Sequence, residues 1–270
     1  MGLRQRQGGG ERLMLVLGIE TSTAVSSAAI GSEQGTVASA LLGRGKGHEQ
    51  FLVPAIRFIL DEAEIPMRQL AGIAVGVGPG LFTGMRVGVT TAKTMAQALR
   101  IPIVGIPSLD LLAYSVRYTP RLICACVDAR RGEVFSAFYR QVPGGVQRLT
   151  EYVAWPPGRL AGEVQARGEE VLFVGSGALV YRDKLNAARA EFASQSQAFP
   201  TAAALVELAI PRFIREDTDP LLELEPLYVR KTDAEIAWDR QGVVIKRPDR
   251  VKIAKRKTDE GPPVETGSEN

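Results

Sequence analysis

Residues 70–99 read LAGIAVGVGPGLFTGMRVGVTTAKTMAQAL. The apolar run 73–77 is typical of a strand that is buried on both faces, and Gly78 and Gly80 then interrupt it. From Gly84 onward small residues recur every four positions, which is the spacing of one face of a helix. The stretch therefore predicts a buried strand, a glycine turn and a helix, and the other elements can be placed around it.

The predicted helix carries a ridge with almost no side-chain bulk. Its members are Gly84, Gly88, Ala92 and Ala96. Met85, Val89 and Met95 supply apolar flanks, while Arg86 and Lys93 project charge. A smooth ridge of this kind favours close packing against another helix.

The turn at Gly78 and Gly80 has two interpretations. It matches neither the G-x-x-x-x-G-K-[ST] nor the G-x-G-x-x-G phosphate-binding pattern. The free N–H groups and the dipole at the start of a helix can nevertheless hold an anion. A tight connection in an α/β sheet explains the same glycines without a ligand, so both alternatives stay open at this point.

The composition is that of a globular chain with a substantial core. Of its 270 residues, 45% are hydrophobic and 23% are charged, and no apolar run approaches the ~18 residues of a membrane span. We therefore expect a cytoplasmic protein without membrane contact. Residues 1–12 are polar and glycine-rich and are expected to form a flexible extension, with Met14 as an alternative start. Cys124 and Cys126 lie two apart in an apolar run, which favours buried free thiols over a disulfide.

The net charge of +3 hides an asymmetry along the chain. Residues 246–257 contain seven lysines and arginines against Asp249 alone, a local charge of +6 that leaves the remainder at −3. Such a segment can contact phosphate backbones, although a solvated, disordered tail has the same composition. The cations of this segment are Lys246, Arg247, Arg250, Lys252, Lys255, Arg256 and Lys257.

Apolar runs and turn residues predict the same order of elements in both halves of the chain. In the first half the predicted elements are strands over 13–19, 26–30 and 36–42, a helix over 49–63 that Pro54 should kink or delay, the stretch quoted above, and a strand over 103–106. In the second half they are strands over 122–128, 133–140 and 146–153, a helix after Pro157, a strand over 171–174, and helices over 178–191 and 201–214.

This duplicated order resembles the actin-like fold, in which the first turn of each copy faces a nucleotide cleft. We expect a first lobe over 13–107, a second over 108–230, a returning segment over 219–230 and little fixed structure in the tail 231–270. The two acids that end the first strand of each half, Glu20 and Asp128, could hold a hydrated Mg²⁺ across that cleft. Each could equally cap its own turn.

Other candidate chemistry is sparse. The single histidine, His48, stands at a predicted helix start without an accompanying nucleophile or ligand spacing, so helix entry, solvent or interface contact explains it better than catalysis. No C-x-x-C pair is present. The charged segment DARRGEV at 128–134 fits a solvated turn between two strands.

Several motifs together resemble one family. They are LGIETST at 17–23, HEQFLVP at 48–54, GVGPGLFTGMRVGVTTAKTMAQAL followed by RIPIVGIPSLDLLA at 76–113, VDARRGEVF at 127–135 and EPLYVRK at 225–231. This combination is similar to the bacterial TsaB (YeaZ-like) family, the partner of the TsaD enzyme in making threonylcarbamoyladenosine on tRNA. The resemblance implies an α/β, actin-like (ASKHA, RNase H-like duplicated) two-lobed fold with mixed central sheets.

The resemblance also implies that catalytic groups have been lost. The catalytic relative has a His-x-x-x-His metal pair where this chain has Ser108 and Leu112, and an acidic pair where it has Thr23 to Val25. Leucine cannot ligate a metal, and serine is a poor replacement for imidazole. The implied role is a non-catalytic subunit for modification of adenosine 37 of tRNA that binds and activates a TsaD-type partner. An active ATP-dependent kinase or a metallopeptidase-like hydrolase of the same superfamily is the alternative.

The expected site has two parts. The partner interface is assigned to Phe51, Ala55, Phe58, Met85, Gly88, Val89, Ala92 and Met95, and Gly88→Leu is expected to abolish partner binding with little effect on folding. A phosphate-facing set is assigned to Glu20, Thr21, Ser22, Gly78, Gly80 and Asp128, with no catalytic residue and no metal ligand.

The resemblance further implies a TsaE-type ATPase in the same complex, a homodimer in the absence of TsaD, tRNA contacted only indirectly, and ATP or ADP with Mg²⁺ only in the complex with the partner, if at all. A free-standing RNA-binding role for the basic tail has less support, because the sequence offers no recognisable aromatic stacking platform for bases.

Overall fold

The computed structural model describes residues 13–43, 47–186 and 189–230. A mixed five-stranded sheet runs in the order β3-β2-β1-β4-β5. The first three strands form the predicted antiparallel meander, and β4 and β5 then add in parallel to β1. The strands are β1 (Leu15–Glu20), β2 (Ser26–Ser32), β3 (Gly35–Leu42), β4 (Leu70–Gly78) and β5 (Ile103–Pro107).

Two helices cover one face of this sheet. Helix α1 (His48–Glu62) buries a stripe that includes Leu52, Ile56 and Ile59, and α2 (Phe82–Leu99) packs beside β4. Pro54 lies inside α1, which starts six residues before it and continues to Glu62. The delayed start that the proline predicted is therefore wrong, and the apolar stripe stabilises a continuous helix instead.

The second sheet repeats the first. Its order is β11-β10-β6-β7-β8, with β9 paired to β7, so a meander is again followed by strands added in parallel to the first one. The strands are β6 (Leu122–Asp128), β7 (Val134–Val142), β8 (Gly145–Arg148), β9 (Val153–Trp155), β10 (Val171–Val174) and β11 (Ala190–Phe192). Helix α4 (Pro157–Arg167) connects the meander to β10, as α1 does in the first copy. The predicted duplication is confirmed.

The second copy departs from its predicted elements in two places. The strand expected over 146–153 is two short strands, β8 and β9. The helix expected over 178–191 is wrong, because α5 (Ser176–Val180) and α6 (Arg182–Leu185) end before β11 begins. The helical backbone is broken at Tyr181, whose φ of −114° and ψ of 24° lie outside the helical region.

The last helix of each copy packs on the opposite sheet. Helix α3 (Ser108–Ser115), which the sequence did not predict, places Leu109 and Leu112 in the core of the second sheet. Helix α7 (Ala202–Ile214) covers the free face of the first sheet. Helix α7 thus shares the core of the first sheet, although it falls within the segment 108–230 that was expected to form the second lobe.

Residues 219–230 return to the first sheet as a strap, as predicted. Backbone Asp219 N–H donates to Ile103 O at 2.9 Å, and Leu227 N–H donates to Val77 O at 2.8 Å. The strap ends with an ion pair of 2.8 Å between Arg230 and Glu133 of the second copy. Within the described ranges, no helix is both long and apolar enough to cross a bilayer. The predictions for residues 1–12 and 231–270 lie outside the described residues.

Candidate functional site

The turn after β1 is sealed inside the protein. Glu20, Thr21 and Ser22 have no exposed surface. The Glu20 carboxylate accepts from Ser22 N–H at 2.6 Å and from Ser108 Oγ at 3.1 Å, and the two serine hydroxyls lie 2.7 Å apart. Burial raises the pKa of the Glu20 carboxyl, and the hydrogen bonds from Ser22 and Ser108 partly oppose that rise. Glu20 therefore caps its own turn.

The glycine turn packs directly against this sealed segment. Leu81 N–H donates to Ser22 O at 2.6 Å, and Thr21 Oγ1 donates to Gly84 O at 2.7 Å. A Cβ atom at Gly80 would overlap the Ser22 carbonyl, and one at Gly84 would overlap the Thr21 carbonyl. Because these glycines have no side chain, the backbone of residues 21–22 can pack directly against them. Of the two interpretations of this turn, the tight connection is the one that the structure supports.

Asp128 occupies the equivalent position in the second copy and also caps a turn. Its Oδ1 accepts from Arg130 N–H at 2.9 Å and from the Tyr181 hydroxyl at 3.2 Å. The Arg130 guanidinium lies 3.4 Å from Oδ2. The predicted hairpin at 128–134 is confirmed, since it joins β6 to β7.

The space between the two turns is small. A cavity of about 130 Å³ lies there, lined by residues that include Thr23, Leu81, Asp128, Arg130 and Ser176, whereas pockets for drug-sized ligands measure about 300–1,000 Å³. Within the part of the chain that the structure describes, no three His, Cys, Asp or Glu side chains are grouped for a metal ion. Both oxygens of Glu20 already accept hydrogen bonds, one from Ser22 N–H and the other from the Ser108 hydroxyl.

The two positions at which the resemblance implies lost metal ligands are part of the core. Ser108 and Leu112 are both fully buried, Ser108 in the hydrogen-bond cluster with Glu20 and Leu112 in the apolar core of the second sheet. The two cysteines are free and buried, as predicted, and burial raises the pKa of both thiols. Neither cluster offers a reacting group to solvent.

His48 begins α1 and holds that helix to the meander. Its Nδ1 lies 2.6 Å from the Ser26 hydroxyl. Burial lowers the pKa of the imidazole, and the nearby Glu49 carboxylate partly opposes that change. The neutral imidazole can accept a hydrogen bond from the Ser26 hydroxyl at Nδ1. This contact agrees with a structural role for His48 at the start of α1.

The small-residue ridge of α2 faces its own sheet, which corrects the predicted interface. Met85, Val89 and Ala92 are each less than 4% exposed, and Ala55 of α1 is also buried. A Cβ at Gly88 would overlap the hydroxyl of Thr21. The structure therefore predicts that Gly88→Leu disturbs folding, contrary to the expectation from the sequence, because a side chain there would overlap the buried Thr21 hydroxyl. Of the eight proposed interface residues, only Phe51, Phe58 and Met95 reach the surface, and Phe58 is the most exposed of them.

The outer sides of α1 and α2 instead form a mostly apolar groove of about 660 Å³, here called the α1–α2 groove. Val53 and Met67 on its walls are 61% and 42% exposed. An ion pair of 3.6 Å between Arg57 and Asp61 lies on the rim. An open apolar groove of this kind is typical of surfaces that bind another protein. Its lining includes Val53, Leu60, Ile65, Met67, Thr94 and Met95.

The predicted interface set and the lining of the α1–α2 groove lie on the same two helices but share few residues. Of the predicted set, the groove includes Met95, while Phe51 and Phe58 are not among its lining residues. A helical projection would have given a signal, because α2 needs Met85, Val89 and the small residues to cover β4. The outer side of α2, which lines the groove, then carries Thr90, Thr91 and Thr94.

Comparisons with known proteins agree on one family. A family model described as TsaD, tRNA N6-adenosine threonylcarbamoyltransferase, matches residues 43–238. The tRNA threonylcarbamoyladenosine biosynthesis protein TsaB of Bacillus subtilis is 35% identical over 50% of this chain and 59% of that protein. TsaB of Escherichia coli is 26% identical over 84% of this chain and 98% of that protein. The structure of YeaZ from Pseudomonas aeruginosa superposes with a TM-score of 0.71 and 28% identity, covering 80% of this chain and all of that one.

The chain belongs to the TsaB (YeaZ-like) family. It is also a member of the wider family that the TsaD model describes. The α/β actin-like fold predicted from the duplicated order is confirmed by the two repeated sheets and by the YeaZ superposition. The matched segment spans less than two thirds of the length of the Bacillus relative. The basic residues 246–257 lie beyond the segment that the family model matches.

Proposed function

We propose that this chain is a non-catalytic subunit in the biosynthesis of threonylcarbamoyladenosine at adenosine 37 of tRNA. In this proposal it binds a TsaD-type transferase subunit through the α1–α2 groove and activates it. Membership of the TsaB family supports the pathway. The single observation that carries the role is the open groove, which leaves apolar side chains such as Val53 and Met67 in solvent when the chain is alone.

The occupant that fits the groove best is a pair of helices from a protein of the same fold. The groove lies between two helices and has walls of valine, leucine and methionine, and these side chains gain stability when another apolar surface removes them from water. The thioethers of Met67 and Met95 can adapt to the shape of a partner. Contacts made only in the assembled state would then favour the active arrangement of the partner.

The chemistry is assigned to the partner because the cleft of this chain is occupied by its own residues. Glu20 and Ser22 are sealed, and the cavity near Asp128 is small. Nucleotide and Mg²⁺ would accordingly bind only in the complex, together with a TsaE-type ATPase. In the absence of the transferase, a second copy of this chain would cover the same groove and form a homodimer. The proposed location is the cytoplasm.

The experiment is titration calorimetry of the full-length chain with its TsaD-type partner. Val53→Glu places a charge in the groove, and we expect it to weaken partner binding at least tenfold, because the carboxylate would have to be desolvated in an apolar interface. Val37→Glu is the matched control, since Val37 is 51% exposed on β3, away from the groove. It should bind as the wild type does.

Equal affinity of the wild type and Val53→Glu would contradict the groove as the docking surface. A chain that bound ATP and Mg²⁺ tightly on its own, with turnover, would favour the kinase or hydrolase alternative. Both measurements are made on the same preparation, so the two failures are separately visible.

A further inference from the structure

The two helices that form the α1–α2 groove begin without side-chain caps. Their N-cap residues are Gly47 and Leu81, neither of which has a side chain that could accept a hydrogen bond from the helix. The first N–H groups of a helix find no partner within it, so the position of a helix start depends on contacts from outside. Here both starts contact the same segment, residues 21–26, which leads from β1 into β2.

The start of α2 is fixed by buried contacts that do not titrate. Leu81 N–H donates to Ser22 O at 2.6 Å, and Thr21 Oγ1 donates to Gly84 O at 2.7 Å. Thr21 and Ser22 have no exposed surface. Aliphatic hydroxyl and backbone groups keep their protonation state across the physiological range of pH. We therefore expect this helix start to stay in place when the pH changes.

The start of α1 depends on one titratable side chain. His48 is the first residue of the helix, and its Nδ1 lies 2.6 Å from the Ser26 hydroxyl. Pro54 has no N–H to donate to the Gln50 carbonyl, so one backbone hydrogen bond is missing from the first turns of the helix. Val53, on the wall of the groove, directly precedes this proline. The contact between His48 and Ser26 therefore helps to set the position of the groove wall.

The imidazole of His48 also faces the start of α2. A Cβ atom built on Gly84 would lie 3.5 Å from His48 Nε2, so the half-buried ring lies between the two helix starts. Each start carries a partial positive charge, which disfavours a cation. Among the described residues, β2 contributes the Ser26 hydroxyl and α1 contributes the Glu49 carboxylate, which only partly opposes the burial that lowers the pKa of His48. A protonated ring is therefore more stable when it turns toward solvent.

We propose that His48 is a positioning residue for the α1–α2 groove. The neutral imidazole holds the start of α1 against β2, and a protonated imidazole releases it, so that docking of the partner weakens as the pH falls. His48 does not line the groove, so it acts through the first turns of α1 and through Val53. The inference rests on the proposed function, because the groove is the docking surface. It adds a residue outside the groove and a dependence on pH.

The size of the effect follows from the release of one proton. Docking selects the neutral ring, so the affinity changes by at most about tenfold per pH unit and levels off above the ordinary histidine pKa of about 6.5. Between pH 7.5 and pH 5.5 the loss of affinity is therefore limited to about tenfold. The affinity rises with pH, because the free chain binds a proton that the complex excludes.

The test is titration calorimetry of the full-length chain with its TsaD-type partner at pH 7.5 and pH 5.5. We expect the wild type to bind about three- to tenfold more weakly at pH 5.5. In His48→Gln the amide oxygen can still accept from the Ser26 hydroxyl but takes up no proton. This variant should keep the wild-type affinity at pH 7.5 and lose less of it at pH 5.5. Groups of the partner titrate equally in both experiments, so the difference between the two losses belongs to His48.

Two serine variants test the contact itself. Ser26→Ala removes the hydroxyl that holds the ring, and we expect it to weaken docking at pH 7.5 about two- to tenfold, the effect of losing one hydrogen bond. Ser32→Ala is the matched control, because Ser32 is also a buried serine of β2 but its hydroxyl accepts from Gln34 N–H at 3.2 Å, away from α1. It should bind as the wild type does. Circular dichroism at both pH values gives the folded fraction for each titration.

Equal loss of affinity in the wild type and His48→Gln would overturn the inference, and so would unchanged docking by Ser26→Ala. The groove itself is tested separately by Val53→Glu at pH 7.5. If Val53→Glu abolished docking while the wild type and His48→Gln lost affinity equally, the proposed function would stand and the role of His48 would fall.

Discussion

Replacing Gly88 by alanine tests whether the small-residue ridge of α2 is packed inside its own lobe. The added Cβ would overlap Thr21 Oγ1, which is buried and donates to Gly84 O at 2.7 Å. Overpacking a dense core costs about 1–3 kcal/mol, and a buried group left without its hydrogen bond costs about 1–3 kcal/mol more. Alanine gains about 1 kcal/mol over glycine in helix propensity. We expect Gly88→Ala to destabilise the fold by about 3 kcal/mol.

The chain offers a matched control within another helix. Gly162 lies inside α4, and a Cβ built there meets nothing within 4 Å. Gly162→Ala should therefore stabilise the protein by about 0.5–1 kcal/mol, since only the helix propensity changes. The change from glycine to alanine is therefore predicted to lower the free energy of unfolding in α2 and to raise it in α4.

A double-mutant cycle assigns the effect of Gly88→Ala to one contact. Thr21→Ala removes the hydroxyl that the new Cβ would meet, and the other atoms near that Cβ lie at 3.7 Å, which is ordinary contact. The double variant should therefore be more stable than the sum of the single effects predicts, by about 2 kcal/mol. The measurement is the free energy of unfolding from urea titrations followed by circular dichroism. Stabilisation of Gly88→Ala by the same amount as Gly162→Ala would refute the buried ridge.

Two further predictions concern buried polar groups. Burial lowers the pKa of His48, the only histidine, so below about pH 6.5 the unfolded chain binds a proton that the folded chain resists. Stability should therefore rise with pH from the lowered pKa to about 6.5. The melting temperature should be higher at pH 7.5 than at pH 5.5, and His48→Gln should make this difference smaller. An unchanged difference in the variant would contradict the role of His48. Asp110 Oδ1 accepts from the hydroxyls of Tyr139 at 2.7 Å and Tyr152 at 2.8 Å. Tyr139→Phe and Tyr152→Phe should each destabilise the fold by about 1–2 kcal/mol, and the double variant by more than the sum, because the buried carboxylate loses both donors; additive urea-unfolding values would contradict the coupling.

The elements with strong periodicity were predictable from the sequence. Strands β1 to β5 have apolar runs bounded by glycines and polar turns, and the structure places them close to the predicted positions. Helix α7 has Thr201 as its N-cap, whose hydroxyl accepts from Ala204 N–H at 3.3 Å, and it begins within one residue of the predicted range 201–214. Local signals were sufficient in these segments because propensity and burial agree.

Other features depend on contacts between distant segments. The edge strand β11 has only three residues, and its pairing with β10 decides its conformation over an alanine-rich sequence that favours helix. Likewise, a ridge of small residues has the same spacing whether it faces a partner or its own sheet. The close approach of Thr21 to Gly88 decides between these in the structure, and nothing in the local sequence of α2 encodes it.

The candidate site was predictable in part. The sequence correctly indicated that the first strand of each copy ends in an acid, Glu20 or Asp128. The burial of Glu20 could not be deduced, because it depends on Ser108 at the start of α3 and on the glycine turn after β4. The α1–α2 groove likewise requires knowledge of which helix sides remain after the core is filled.

The most direct test of the account is reconstituted tRNA threonylcarbamoylation by the TsaD-type partner with and without this chain. We expect modification to require the chain, to be lost with Val53→Glu in the α1–α2 groove, and to persist with Asp128→Asn, which alters the cleft but keeps an acceptor for Arg130 N–H. Full activity of the Val53→Glu complex together with loss of activity in the Asp128→Asn complex would contradict it, since the cleft of this chain would then be the working site.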